Sequence, residues 1–146
     1  LPKLTKVYGD RYKGYTLKQL CQEMHNYYRG NKTFTLQQEL FAKPNMQNYP
    51  MTPEHADYLF MKNESELVNL DDVKGRIAAE GALPYPPGVF IVAPGEKWSD
   101  IDQKYFEVLV GAIERFPGFV PEIQGVYWDQ KADGKIRVQA EVLKEN

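Results

Sequence analysis

The chain has 146 residues, of which 42% are hydrophobic and 26% charged, and its formal net charge is −2. That length suits one domain able to bury its own core, and the composition excludes a disordered polypeptide. The charge leaves no electrostatic footprint for nucleic acid and no apolar run reaches membrane-helix length, while one cysteine and two histidines exclude a disulfide framework and a Cys-rich zinc site. Residues 1–15 start with Leu1 rather than Met, lack a secretory layout and mix Pro, Gly, Lys and Tyr without a period. They are predicted to form an extended lead-in, and the chain to be a piece of something longer.

Thr16 and Gln19 then form a capping-box pattern ahead of Leu17, Leu20, Cys21, Met24, Tyr27 and Tyr28 at helical spacing, with Gly30-Asn31 as the stop. Thr35 is predicted to cap a short second helix running through Phe41. Thr52-Pro53 places a cap before Pro at the first helical position and opens a third helix, with Ala56, Leu59 and Phe60 on one face. Residues 66–70 and 75–83 read as strands around a turn at Asp71-Asp72, and 89–92 as a short apolar strand. Ser99 and Asp102 cap the clearest helix, whose stripe is Ile101, Tyr105, Val108, Leu109, Ala112, Ile113 and Phe116, ended by Pro117-Gly118. The tail alternates over 125–129 and 135–143 about Ala132-Asp133-Gly134, the signature of a hairpin. The sum is one α+β domain over 16–146, with early helices and a long late helix packed on a small, mostly antiparallel sheet.

Chemistry-bearing residues are sparse. His25 and His55 sit inside predicted helices without a local Ser or Cys partner, so neither reads as a catalytic base. Cys21 falls on an apolar stripe and is predicted to be a buried, inert thiol. Asp100 and Asp102 suit the first turn of a helix, where the dipole favours negative charge, and no calcium-loop or phosphate-loop spacing occurs. No catalytic, metal or cofactor-binding residue is assigned.

The stretch Leu83-Pro84-Tyr85-Pro86-Pro87-Gly88 is different, because three prolines in four positions stiffen the backbone and remove three amide donors. Two readings stand side by side. One is a connector that loses little entropy on folding. The other is a preformed wall that meets another protein surface or narrows a pocket entrance. Ala93-Pro94-Gly95-Glu96 reads as a turn with Gly95 at positive φ.

The run Gly75-Arg76-Ile77-Ala78-Ala79-Glu80-Gly81-Ala82-Leu83-Pro84-Tyr85-Pro86-Pro87-Gly88-Val89, followed by Ala93-Pro94-Gly95-Glu96, closely resembles the C-terminal domain of the bacterial ornithine/lysine/arginine decarboxylases. Residues 12–20 (YKGYTLKQL), Cys21-Gln22-Glu23-Met24-His25 and Gly125-Val126-Tyr127 resemble the ornithine branch. The resemblance implies a cytoplasmic, pyridoxal-phosphate-dependent carboxy-lyase of fold type I that converts ornithine to putrescine in polyamine synthesis. It implies a homo-oligomer built from dimers, with the cofactor held in a preceding domain by a lysine that follows a histidine. Because this sequence has no His-Lys pair, no such role is carried over, and the piece alone is expected to be inactive. Its expected partners are the catalytic domain of its own chain, a second subunit and the basic amino-acid substrate, with no nucleic acid and no membrane. The residues expected at the substrate entrance or subunit interface are Glu80, Leu83, Pro84, Tyr85, Pro86, Pro87, Gly88, Gly95 and Glu96. Other outcomes are a lysine or arginine decarboxylase domain, or a free-standing interaction or small-molecule-binding module sharing the fold.

Overall fold

Local capping signals decide where three of the helices begin. In the computed structural model, which describes residues 1–45, 49–85, 88–133 and 135–145, the Thr16 hydroxyl accepts from the Gln19 amide while the Gln19 side chain accepts from the Thr16 amide. That box opens helix α2 (Leu17–Gly30). The Thr52 hydroxyl caps α4 (Pro53–Met61), with Pro53 at the position that needs no amide donor. Ser99 and Asp102 close a second capping box on α5 (Asp100–Arg115), the longest helix.

Two helices are not read correctly from sequence. Residues 1–15 are not extended: α1 (Pro2–Tyr8) starts with Pro at its first turn and runs into a 3₁₀ turn at Gly9–Tyr12. The region lacks a side-chain cap at its start, and the helix has no buried residue of its own, so no period marks it. Helix α3 (Thr33–Leu40) starts two residues before the expected Thr35. Its cap is Lys32 in the left-handed region, and the Thr33 hydroxyl donates to the Tyr28 carbonyl at 2.9 Å.

Strands β1 (Ser65–Asn69), β4 (Val126–Gln130) and β5 (Ile136–Leu143) form an antiparallel sheet in the order β1-β5-β4. The register pairs Val68 with Ala140 and Val126 with Ala140, so small and β-branched residues face α5 across the middle strand. β4 and β5 form the expected hairpin; its Gly134 lies outside the described residues. A separate two-stranded ribbon pairs β2 (Leu83–Tyr85) with β3 (Glu122–Gln124).

The main core lies between α5 and the sheet, where Tyr105, Phe106, Leu109 and Val110 meet Val126, Val138, Ala140 and Val142, with Trp98 at one end. Fully burying each large apolar side chain there contributes about 1.5–3 kcal/mol. A second cluster joins Tyr12 and Leu20 to Ala112 and Phe116. A third packs Ala56 of α4 and Ala79 against Leu143 on the opposite face of the sheet.

Cys21 is exposed, contrary to expectation. The inward face of α2 is Leu20, Met24, Tyr27 and Tyr28, and Cys21 lies about 100° round the helix from Leu20. Residues 75–83 do not form a continuous strand. Instead Ile77 bridges Lys97, Ala78 bridges Val142 and Ala82 bridges Val92, so the run hands its hydrogen bonds to three partners in turn. The alanines allow that close approach but supply no β-branched surface for a continuous strand. Residues 89–92 form no strand either: Ala82 bridges Val92, and the Ile91 amide also donates to the Ala82 carbonyl.

Candidate functional site

The ribbon β2–β3 fixes the first half of the proline-dense segment. Leu83 stands opposite Gln124, Pro84 opposite Ile123 and Tyr85 opposite Glu122. Leu83 and Pro84 are buried, whereas Tyr85 is 45% exposed. The Pro84 carbonyl then accepts from the Gly88 amide at 2.9 Å; Pro86 and Pro87 lie outside the described residues. Gly88 has φ +78°, and the Tyr85 ring fills the space a Cβ would need. Phe90, half exposed, lies on Gly81 in the same way. The result is an apolar rim of Tyr85, Val89 and Phe90 set on a buried base.

The acidic residues predicted to flank this rim part company. The Tyr127 hydroxyl donates to Glu80, and that hydrogen bond, followed by burial and the Glu80 charge, pushes the Tyr127 phenol up to about 12. Glu80 is thereby tied to the outer face of β4. Glu96 goes elsewhere. Its Oε2 accepts from the Ala93 amide at 2.6 Å while its own amide donates to the Ala93 carbonyl, closing the turn around Pro94 and Gly95. Gly95, at φ +85°, lies so close to the residues that lead into α4 that a Cβ would come within 2.7 Å of the Met51 carbonyl oxygen. The Gly95 amide donates to the Ala78 carbonyl, and the Ala78 amide donates to the Glu96 carbonyl.

Glu96 lines a cavity of about 260 Å³ with Leu40, Phe41, Tyr49, Phe90 and Asp102. Asp102 is 5% exposed. Its Oδ2 accepts from both the amide and the hydroxyl of Ser99, at 2.8 and 2.6 Å. Burial raises the Asp102 carboxyl above its ordinary value despite those bonds, and the Glu96 charge adds to the rise. Burial also raises the Tyr49 phenol, and Glu96 holds its proton further. The sequence gives Asp102 away as a capping residue only; nothing local shows that its carboxyl shares a cavity with Glu96.

The raised Asp102 carboxyl has a measurable sign. The folded state holds this proton more tightly than the unfolded chain, so the associated stability is full below the ordinary value of 3.8 and declines as pH climbs through the raised one. Asp102→Asn abolishes that decline. Urea unfolding at a series of pH values should show the variant gaining on the parent above pH 4 or so. Parallel curves across that range would show that burial does not perturb Asp102.

Other side chains offer little chemistry. His25 and His55 are exposed, and among the described residues no group of three or more His, Cys, Asp or Glu converges on a metal position. Every lysine is exposed, so none supplies the desolvated amine that a Schiff-base site requires. The residues present do not fit pyridoxal phosphate. Among the described residues, no helix is long and apolar enough to cross a membrane.

Residues 34–144 match the family model described as "Orn/Lys/Arg decarboxylase, C-terminal domain". The sequence is 51% identical over 133 residues to the inducible ornithine decarboxylase of Lactobacillus sp. strain 30a, covering 91% of this chain and 18% of that protein. It is 50% identical over 143 residues to the ornithine decarboxylase of Haemophilus influenzae, covering 98% of this chain and 20% of that one. Lysine decarboxylase A from Pseudomonas aeruginosa superposes with a TM-score of 0.84 at 29% identity, over 99% of this chain and 19% of that one. The chain therefore spans about a fifth of the length of the relatives it matches.

Proposed function

The chain belongs to the family of C-terminal domains of ornithine, lysine and arginine decarboxylases, and from that premise we propose that it serves a pyridoxal-phosphate-dependent ornithine decarboxylase. The observation that carries the substrate choice is identity of 50–51% to ornithine decarboxylases, against 31% to the lysine decarboxylase LdcA of Pseudomonas aeruginosa. In this reading the chemistry belongs to a catalytic body outside the chain. The cofactor there supplies the electron sink for loss of the α-carboxylate. This domain contributes shape and charge. Its apolar rim of Tyr85, Val89 and Phe90 packs on that body or on a second subunit, close to the substrate entrance of a cytoplasmic homo-oligomer.

Two features support the docking face. Tyr85, Val89 and Phe90 are 45%, 48% and 50% exposed although each is large and apolar, as in a surface meant to be covered. The Gly88–Pro84 hydrogen bond and the seating of the Tyr85 and Phe90 rings on Gly88 and Gly81 hold that rim in place beforehand, so little conformational entropy is lost on docking. Glu80 is tied to Tyr127, and Glu96 to the Ala93 amide and the Tyr49 hydroxyl, so each carboxylate would act on a cationic substrate through its charge from a fixed position.

The test uses the full-length enzyme. It should turn over ornithine in preference to lysine. Tyr85→Ala should raise KM for ornithine or shift the dimer toward monomer in sedimentation. The isolated chain, mixed with pyridoxal phosphate and ornithine, should build no internal-aldimine absorbance and release no carbon dioxide. Unchanged kinetics and assembly in Tyr85→Ala would remove the docking face, while preference for lysine would remove the substrate assignment.

A further inference from the structure

Charge is divided unevenly along the chain. Residues 1–32 hold seven of its 18 basic residues and two of its 20 acidic ones, so they carry +5 while the remainder carries −7. Two helices turn that division into faces of opposite sign. On α1, Lys3, Lys6 and Val7 stand at i, i+3 and i+4, all exposed, with Val7 70% open to solvent. Leu1 and Leu4 are the side of this segment that packs inward, on the cluster of Tyr12 and Phe116. On α4, Glu54, Asp57, Tyr58 and Met61 stand at i, i+3, i+4 and i+7, all exposed, with Met61 75% open. Ala56 and Leu59 are the side that packs inward, on the separate cluster of Ala79 and Leu143. Lys62 reaches the Tyr58 ring at 5.5 Å from the flank of this face. Among the described residues no ion pair engages Lys3, Lys6, Glu54 or Asp57.

Each face thus has an exposed apolar centre flanked by unpaired charges of one sign, and the two signs are opposite. Setting α1 against a second α1 would put lysine against lysine, and α4 against a second α4 would put carboxylate against carboxylate. Setting the α1 of one copy against the α4 of another meets neither objection, because this chain carries both halves of the match. In both helices the charges stand three residues apart, so two lysines can face two carboxylates at the same spacing. We propose that the chain associates with a second copy of itself through this contact, the Lys3–Lys6–Val7 face of α1 on one copy against the Glu54–Asp57–Tyr58–Met61 face of α4 on the other. Val7 then meets Tyr58 and Met61 at its centre. So few side chains fall well short of the roughly 20–30 residues a side of a standard interface, so the contact is weak, with Kd of about 0.1–1 mM. Its charges are exposed, which makes it sensitive to salt. It uses no residue of the Tyr85–Phe90 rim and stands apart from the docking reading.

The experiment is sedimentation equilibrium of the 146-residue chain up to about 1 mM, at low salt and at about 0.5 M sodium chloride, with a dispersed amide spectrum verifying the fold of every variant. The weight-average mass of the parent should rise with concentration at low salt, and the higher salt should weaken Kd about threefold or more. Lys3→Glu with Lys6→Glu, and separately Glu54→Lys with Asp57→Lys, should each give a monomer, because each pair makes the two faces alike in sign. Mixed in equal amounts, the two variants should associate again. All four substitutions together restore opposite faces at the parent's net charge of −2 and should associate as the parent does. Tyr85→Ala should leave association unchanged. The proposal is overturned by a parent that stays monomeric at about 1 mM or associates without regard to salt, by a single reversed face that associates as the parent does, or by a mixture or fourfold variant that does not associate. Loss of association in Tyr85→Ala would assign it to the rim and overturn the proposal as well.

Discussion

Gly125→Ala should be the most damaging single-methyl substitution in the chain. Gly125 joins β3 to β4, where the backbone leaves the ribbon and enters the sheet, and it does so at φ +73°. A Cβ there would overlap the carbonyl oxygen of Gly81, which is main chain and cannot rotate away. Gly81 is itself pinned beneath the Phe90 ring. Left-handed strain costs about 1–3 kcal/mol and forced overlap a similar amount, so the loss is expected to reach ~3 kcal/mol or more. For a domain of this size that lowers Tm by about 10 °C. Gly75→Ala provides the control: it has φ +79° but nothing within 4 Å of the added methyl, so only the strain of about 1 kcal/mol applies. Thermal unfolding of the two variants separates crowding from backbone preference, and equal losses would show that the Gly81–Gly125 crossing carries no packing constraint. Because the same crossing sets the ribbon against the sheet, its failure should also loosen the Tyr85–Phe90 rim.

Legibility follows the range of the interaction that fixes each element. Thr16 with Gln19, Thr52 with Pro53 and Ser99 with Asp102 act over three residues or fewer, and all three helix starts are readable from sequence. The β4–β5 hairpin is equally local. By contrast, β3 is three residues with no alternation to mark it, and exists because β2 pairs with it from far away. The run 75–83 looks like one strand, yet its bridges are distributed among Lys97, Val142 and Val92 by tertiary packing. The candidate site divides in the same way. Its motifs stand out as residues, the prolines around Tyr85 and the Pro94-Gly95-Glu96 turn. Their grouping does not: Glu80 is captured by Tyr127, 47 positions away, and Glu96 joins Asp102 with Phe41 and Tyr49 from the helical half of the chain. Only the folded chain shows that the two glutamates have different hydrogen-bond partners.

The second large effect is expected at Tyr12. An extended lead-in would tolerate its replacement, but Tyr12 is 1% exposed and packs with Leu20, Ala112 and Phe116. Its ring meets Tyr8, Tyr15 and Phe119 edge-on at 6.2–6.3 Å, and its hydroxyl donates to the Pro117 carbonyl at 2.8 Å. The neighbouring Arg11 lies 5.0 Å over that ring and donates to the Arg115 carbonyl at 3.0 and 2.9 Å, satisfying an orphan acceptor at the end of α5. Arg11 also pairs with Glu23 at 3.1 Å, so the 3₁₀ turn, α2 and α5 meet at one point. The Tyr15 hydroxyl, then the charges of Arg11 and Arg115, hold the Glu23 carboxyl below its usual value against the effect of burial. Tyr12→Ala should cost about 3–5 kcal/mol, as for other large aromatic cores. Tyr12→Phe keeps the packing and loses only the bond to Pro117, for about 1 kcal/mol. Removing residues 1–15 should cost at least as much as Tyr12→Ala, since it also removes Arg11 from the end of α5. Chemical denaturation of the three variants measures this directly. A truncated chain as stable as the parent would place the start of the folding unit at Thr16; the expected loss places it ahead of Thr16, where the 3₁₀ turn Gly9–Tyr12, too short to announce itself in the sequence, is held by what it packs against.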